Sequence, residues 1–232
     1  MRSVLVVIPF DNIFPPMNGG MLRCFNLLNQ LCKYFQVTAL MNQDRDSFMQ
    51  SAVEFPAIKN CRIFSTKENT NERDLFSFLP VKYAKSVRFR YWNRSLFETA
   101  DDNYLLLYPQ LRKILKKDPF DYVILEDMAI TNLAKLVKRF QPRVPVIYDA
   151  YNVNSKLEYI ALKKGIINEA EYNRVLKVET SLFKQDLKIF TCSNEDLIEL
   201  VKMNMGKISG AVIPNGVGIS EIERKLNFKE DR

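Results

Sequence analysis

No histidine occurs among the 232 residues of this chain. That absence excludes Ser-His and Cys-His nucleophile pairs, histidine metal sites and histidine general bases. Acid–base work would have to come from a carboxylate, Tyr, Lys or Cys, or from the substrate itself. Cysteine is sparse and scattered: Cys24, Cys32, Cys61 and Cys192 form no C-x-x-C pair. Reduced, mostly buried thiols are therefore expected. Cys24 and Cys32 share one predicted helix, too far apart to bridge. Two nucleotide fingerprints are also missing, G-x-G-x-x-G after the first strand and G-x-x-x-x-G-K-[ST] anywhere. No run approaches the ~18 apolar residues of a membrane span. Residues 1–14 lack the basic, apolar and small segments of a signal peptide, so a cytoplasmic location is expected.

What is present can build a core. Apolar residues make up 47% and charged residues 26%, which argues against disorder. The length suits one large or two small domains. Net charge is +7, and part of it is local. Residues 75–97 contain no acid but carry Lys82, Lys85, Arg88, Arg90 and Arg94, interleaved with Phe76, Phe78, Tyr83, Phe89, Tyr91 and Trp92. Three readings stand: a helix–loop segment whose aromatics fill the core, a membrane surface or anionic, partly apolar ligand, and nucleic acid. Nucleic acid is the least favoured, because no recognisable motif accompanies the charge.

The chain is organised around residues 4–23. Residues 4–8, VLVVI, have the length and β-branched content of a fully buried strand. A loop with Pro9, Pro15 and Pro16 follows. Gly19-Gly20 then opens a segment with Leu22, Phe25, Leu28, Leu31 and Cys32 on one helical face. Strand, glycine loop and helix together can bring an anion to free N–H groups at a helix N-terminus. Arg23, one turn in, could add positive charge. The alternative is that the two glycines only make a tight turn.

Further strands are expected at 35–41, 61–65, 121–125, 144–148, 187–191 and 211–213. Helices are expected at 44–55, 129–140, 155–164, 168–185 and 195–203. Another helix, capped by Asp101 or Asp102, carries Leu105, Tyr108, Leu111, Ile114 and Leu115 on one face, with Pro109 implying a kink or a start there. Residues 67–74 read as an exposed loop and 214–216 as a turn. Strands alternating with helices mean a parallel α/β sheet with helices on both faces, a Rossmann-like single domain. Ligands bind beyond the carboxyl ends of such strands. Five separate stretches put polar groups there: Gly19-Gly20, Glu126-Asp127, Asp149 with Asn152, Ser193, and Asn215.

The stretches PFDNIFPPMNGGMLRCFNLL, FDYVILED, VIYDAYNVN, VETSLFKQDLKIFTCSNED and VIPNGV resemble, in order, the N-terminal half of a family 4 glycosyltransferase of GT-B architecture. The resemblance implies a Rossmann-like acceptor-side domain over 1–214. It also implies the start of an interdomain linker over 215–232, with the donor domain and its E-x7-E region lying beyond. It implies a retaining transferase that moves a sugar from a nucleotide-diphosphate sugar to a hydroxyl acceptor, a glycan or a lipid-linked saccharide. No metal and no other cofactor is implied, and no nucleic acid. Gly19, Gly20 and Arg23 match the donor-side glycine loop and its arginine. On that basis Gly20→Val is expected to abolish transfer and spare the fold. Glu126, Asp127, Asp149, Tyr151 and Asn152 are the expected acceptor side, with Tyr151 where many members have histidine. Tyrosine hydrogen-bonds a sugar hydroxyl but is a poor base near neutral pH, so the catalytic group stays unassigned. Lys82, Lys85, Arg88, Arg90, Trp92 and Arg94 are the expected patch for an anionic ligand or for peripheral contact with the inner face of the membrane. Glu179, on an otherwise apolar helix face, is expected to be a hydrogen-bonded structural group. Ser193 is expected to be a helix cap. The competing expectation is a non-catalytic binding or interaction module on the same fold.

Overall fold

The computed structural model describes residues 1–67 and 102–216, and for 102–106 only the backbone. Lys82, Lys85, Arg88, Arg90, Trp92 and Arg94, and all but the first two residues of the expected linker, lie outside the described residues.

Among the described residues, seven strands form one sheet, and every neighbouring pair is parallel. They are β1 (Ser3–Ile8), β2 (Gln36–Met41), β3 (Arg62–Ser65), β4 (Tyr122–Leu125), β5 (Val146–Ala150), β6 (Leu187–Thr191) and β7 (Ser209–Val212), in the order β3-β2-β1-β4-β5-β6-β7. Parallel neighbours need crossover connections, and helices supply them. The helices are α1 (Gly19–Tyr34), α2 (Arg45–Ser51), α3 (Asp102–Lys117), α4 (Ala134–Phe140), α5 (Asn154–Lys163), α6 (Glu169–Glu179) and α7 (Asn194–Met203). This is a Rossmann-like α/β fold.

Side-chain alternation splits the core between the two faces of the sheet. Val4, Val6 and Ile8 of β1 pack with Cys24, Phe25 and Leu28 of α1. Leu5 and Val7 pack with Leu107, Leu111 and Ile114 of α3 and with Leu136 and Val137 of α4. Burial on both faces explains why β1 reads as a continuous apolar run. At the sheet's end, Gly210 of β7 is needed for packing, since a Cβ there would collide with the Ile189 carbonyl.

Several element boundaries differ from those read in the sequence. α3 runs unbroken from Asp102 to Lys117 with Pro109 inside it. The proline removes one helical donor, but the surrounding turns hold the segment. The expected helix at 44–55 stops at Ser51, and a 3-10 turn, Pro56–Asn60, precedes β3. The helix at 129–140 starts as a 3-10 turn, Met128–Leu133. The long segment 168–185 divides into α6 and a 3-10 turn, Leu182–Gln185.

β1 lies between β2 and β4, so the chain winds to opposite sides from this point. The crevice at that switch point, beyond the carboxyl ends of the strands, is where this topology places ligands. The proline loop that enters it is fixed from below. The Asn42 side chain donates to the Pro9 carbonyl at 2.7 Å. Gln43 accepts from the Ile13 N–H at 2.9 Å and donates to the Phe14 carbonyl at 2.8 Å. The Phe14 ring stacks on Phe25 with centroids 4.2 Å apart. These ties hold the approach to α1 in place.

Candidate functional site

A cleft of about 410 Å³ opens at the switch point. It is lined by Phe10 after β1, by Asn18, Gly19, Gly20 and Arg23 at the start of α1, and by Asp127 after β4. Tyr151 and Asn152 after β5, Cys192 after β6 and Asn215 after β7 complete it. A wider hollow of about 660 Å³ lies at the opposite edge, between residues 115–121 and 141–145. That edge carries the amino ends of β4 and β5, where this topology does not place ligands.

α1 begins, like other helices, with donors that its own turns leave free. The Asn18 side chain caps it by accepting from the Met21 N–H at 2.9 Å. The Leu22 N–H bonds the Asn18 carbonyl at 3.0 Å. The N–H groups of Gly19 and Gly20, the first two of the helix, have no intrahelical acceptor. The two glycines differ in their surroundings. A Cβ on Gly19 would meet nothing within 4 Å, whereas one on Gly20 would lie 3.1 Å from the Tyr151 ring. Gly20 is therefore bare because Tyr151 packs on it. Gly19 faces open cleft.

Two other helices also start at this edge, each with at least one first-turn donor taken by a side chain. Ser193 caps α7 by accepting from the Asp196 N–H at 3.1 Å. Glu179, fully buried at the end of α6, accepts from the Asn154 and Ser155 N–H groups of α5 at 2.6 and 2.9 Å. Both side chains thus serve helix termini. Removing the carboxyl in Glu179→Ala should cost about 2–3 kcal/mol, the penalty for two stranded donors near the core. Glu179→Gln should lose roughly half of that, since one acceptor survives. Urea unfolding of the two variants checks the order.

Arg23 is 6% exposed and mostly engaged within the fold. Its Nε and Nη2 donate to Asp149 Oδ2 and Oδ1 at 2.9 and 2.6 Å. Its Nη1 donates to the Ile213 carbonyl at 2.6 Å and to Asn215 Oδ1 at 3.0 Å. Four of the five guanidinium donors are thereby used. Burial works against the charge, but the hydrogen bonds and charge of Asp149 outweigh it and hold the Arg23 pKa above its ordinary value.

Glu126 and Asp149 expose none of their surface and lie beneath the cleft rather than in its lining. The Tyr151 hydroxyl donates to Glu126 Oε2 at 2.7 Å. Glu126 Oε1 has no hydrogen-bond partner among the described residues. Burial, reinforced by the Asp149 charge, pushes the Glu126 pKa well above the carboxylate range. Asp149 holds the guanidinium, so Glu126 is the member of the pair that keeps a proton. Burial and the neighbouring Glu126 also push the Tyr151 hydroxyl well up.

A proton bound in the folded state and absent in the unfolded one makes stability fall as pH rises. For Glu126 that loss begins near its unfolded value of 4.5 and continues towards its raised folded value. Relative to wild type, Glu126→Gln should therefore gain stability from pH 4.5 to pH 7, by up to ~1.4 kcal/mol per pH unit. Paired urea titrations at the two pH values read this difference. A constant offset would remove the assignment.

Asp127 reaches the cleft with φ 155° and ψ 150°, a region nearly confined to glycine. Its side chain accepts from the Ala129 N–H at 2.7 Å, which holds the turn. Burial raises its pKa. Tyr151 and Phe10 form a ring pair with centroids 6.0 Å apart. Asn152 and Asn215 are exposed. The structure thus brings Gly19, Gly20, Arg23, Asp127, Tyr151 and Asn152 to one cleft, with Glu126 and Asp149 behind them. Phe10, Asn18 and Cys192 line it too. Of these only Asn18 carried a signal, as a capping residue type directly before a helix start. Among the described residues, no group of three or more Cys, Asp or Glu side chains could hold a metal ion, and no helix is long and apolar enough to cross a membrane.

The sheet order, with a cleft at its switch point, defines a Rossmann-like α/β domain. The crystal structure of Arabidopsis thaliana UGT89C1 complexed with UDP-L-rhamnose has a similar fold, with a TM-score of 0.50 at 15% identity. The match covers 93% of this chain and 52% of that one, so this chain spans about half the length of the structure it matches. No family model and no curated protein matches the sequence.

Proposed function

We propose that this chain is the acceptor-side domain of a retaining glycosyltransferase of the GT-B type, one that moves a sugar from a nucleotide-diphosphate sugar to a hydroxyl acceptor. The observation that carries the reading is the open cleft at the switch point, floored by Gly19 and by the unbonded N–H groups at the start of α1. The likeness in fold to a structure holding UDP-L-rhamnose supports it. In this reading the α1 dipole and its free donors face the diphosphate and stabilise the charge that develops as it leaves. No metal is called for. A second, C-terminal domain would supply the rest of the donor site. The acceptor would be a glycan or a lipid-linked saccharide, and the stretch around Trp92 has the composition to approach an anionic membrane.

Among the described residues Tyr151 and Glu126 are protonated and Asp149 is paired, and Asp127, the one carboxylate lining the cleft, accepts from the Ala129 N–H and has its pKa raised by burial. That suits a reaction in which the departing phosphate takes the acceptor proton. It also favours the second reading, a binding module without catalysis. The native protein should be assayed with a panel of nucleotide sugars and saccharide acceptors, and the anomer of the product read by NMR. Transfer with retention is the expected result. Binding of nucleotide sugar without transfer supports the module, and no binding removes both.

A further inference from the structure

Two of the four cysteines face each other, away from the cleft. Cys32 lies near the end of α1, and Cys61 follows the 3-10 turn Pro56–Asn60 at the entry to β3. α1 packs on that turn. Both thiols sit in the apolar cluster on this face of the sheet, 4% and 9% exposed. There the two side chains are hydrogen-bonded to each other. The other two cysteines have different neighbours. Cys24 lies about 12 Å back along α1, at 1.5 Å per residue, against Glu126 and Tyr151. Cys192 lines the cleft and donates to the Tyr151 carbonyl at 3.3 Å. All four are free thiols.

An apolar core uses cysteine as a small hydrophobe, and packing alone gives no reason to pair two thiols. Thiols in hydrogen-bond contact need little movement to bridge, whereas cysteines far apart cannot bridge without moving backbone. We propose that Cys32 and Cys61 are a redox site, oxidised by hydrogen peroxide to an intramolecular disulfide within the native fold. The Cys32 thiolate attacks a peroxide oxygen, the O–O bond breaks, and the departing hydroxide takes up the Cys32 proton to leave as water. Cys32 is then a sulfenic acid. The Cys61 sulfur attacks the Cys32 sulfur, the S–O bond breaks, and the hydroxide leaves with the Cys61 proton as a second water. Two thiols thus lose two electrons and one peroxide is reduced to two waters. The order of attack follows from the hydrogen bond. Donated by Cys61, it holds the Cys32 pKa below its ordinary value in spite of burial, and the same bond, with burial, pushes Cys61 up. Burial pushes Cys24 and Cys192 up as well, so Cys32 is the readiest thiolate of the four. The new bond closes the segment 32–61. That segment carries β2, α2 and the Asn42 and Gln43 side chains that hold the proline loop. Oxidation therefore staples the support of that loop, whatever the cleft binds.

The test uses the native protein, fully reduced, freed of reductant and treated with hydrogen peroxide under native conditions. Chymotryptic digestion without reductant cuts after Phe25 and so separates Cys24 from Cys32. Mass spectrometry should then find the Cys32 and Cys61 peptides joined, two hydrogens lighter than their sum, in at least half of the chains. Dithiothreitol should return both peptides to their reduced masses. The melting temperature of the joined protein should rise by roughly 5–10 °C, because the bond closes a loop of about 30 residues in the unfolded chain. Dithiothreitol should reverse that rise too. Cys192→Ser should form the bond as the wild type does, whereas Cys61→Ala should give no intramolecular disulfide. The wild-type result stands without the variants, so a Cys61→Ala chain that fails to fold does not blunt the test. Recovery of Cys32 and Cys61 as thiols while Cys192 is oxidised overturns the proposal. So does a bond made through Cys24 or Cys192. A joined protein whose melting temperature fails to rise overturns it as well, since the bond would then form only by distorting the fold.

Discussion

Replacing Arg23 by methionine should destabilise the protein by about 3–5 kcal/mol, the usual cost of removing one partner from a buried ion pair. The side chains of Arg23 and Asp149 are 4% and 0% exposed, so solvent cannot replace the lost partner. The change also frees the Ile213 carbonyl and Asn215, which Arg23 ties to α1. Against a typical domain stability of ~5–15 kcal/mol, this is a large fraction of the whole. Lysine should not rescue it, because a point charge cannot span both Asp149 oxygens. Adding Asp149→Leu to Arg23→Met should recover most of the loss, since an apolar pair of similar volume avoids stranding a charge. Urea unfolding of the two single variants and the double variant gives the coupling directly. A loss below about 1 kcal/mol in Arg23→Met would show that the guanidinium is not the tie between these loops.

The same residue marks the limit of what the sequence conveys. Arg23 was legible as a cation one turn into a helix beside a glycine pair, which suggested a ligand contact. Its partner Asp149 is 126 positions away, and Ile213 is 190 positions away. Nothing local pairs Arg23 with these particular partners among the groups that share the edge. The strands themselves were legible, because residues 4–8 and 122–125 are apolar runs of strand length. The convergence of the loops followed from the alternation of strands and helices. The roles of Glu179 and Ser193 were legible as well. A lone acid on an apolar helix face must find donors, and a serine three residues before an aspartate fits a cap. Asn42 and Gln43 carried no such signal. They follow β2 as ordinary polar residues, and only the fold shows that they hold the proline loop. The difference between Gly19 and Gly20 was hidden for the same reason, since it depends on Tyr151, which arrives from β5.

That difference decides which glycine tests the cleft. Gly20→Val, the substitution suggested by the motif, would press a side chain against Tyr151 at about the 3.1 Å already set for a single Cβ. Loss of function there could come from a displaced ring. Gly19→Ala adds its methyl group to open space and sits in the first turn of α1, where alanine lowers the entropy of the unfolded chain. Its stability should be unchanged or higher by about 0.4–1 kcal/mol. A ligand that approaches the Gly19 N–H directly would lose that approach, and a phosphate oxygen would forfeit a charge-assisted hydrogen bond of about 1.5–3 kcal/mol. Binding of a nucleoside diphosphate sugar should then weaken by roughly 10- to 100-fold, at 1.4 kcal/mol per factor of ten. Calorimetric titration of Gly19→Ala and wild type with UDP and UDP-glucose, beside a urea curve for each, measures both quantities at once. Weakened binding at undiminished stability places the diphosphate at the start of α1. Wild-type affinity in Gly19→Ala would move the ligand away from this helix and leave the glycine pair as a turn.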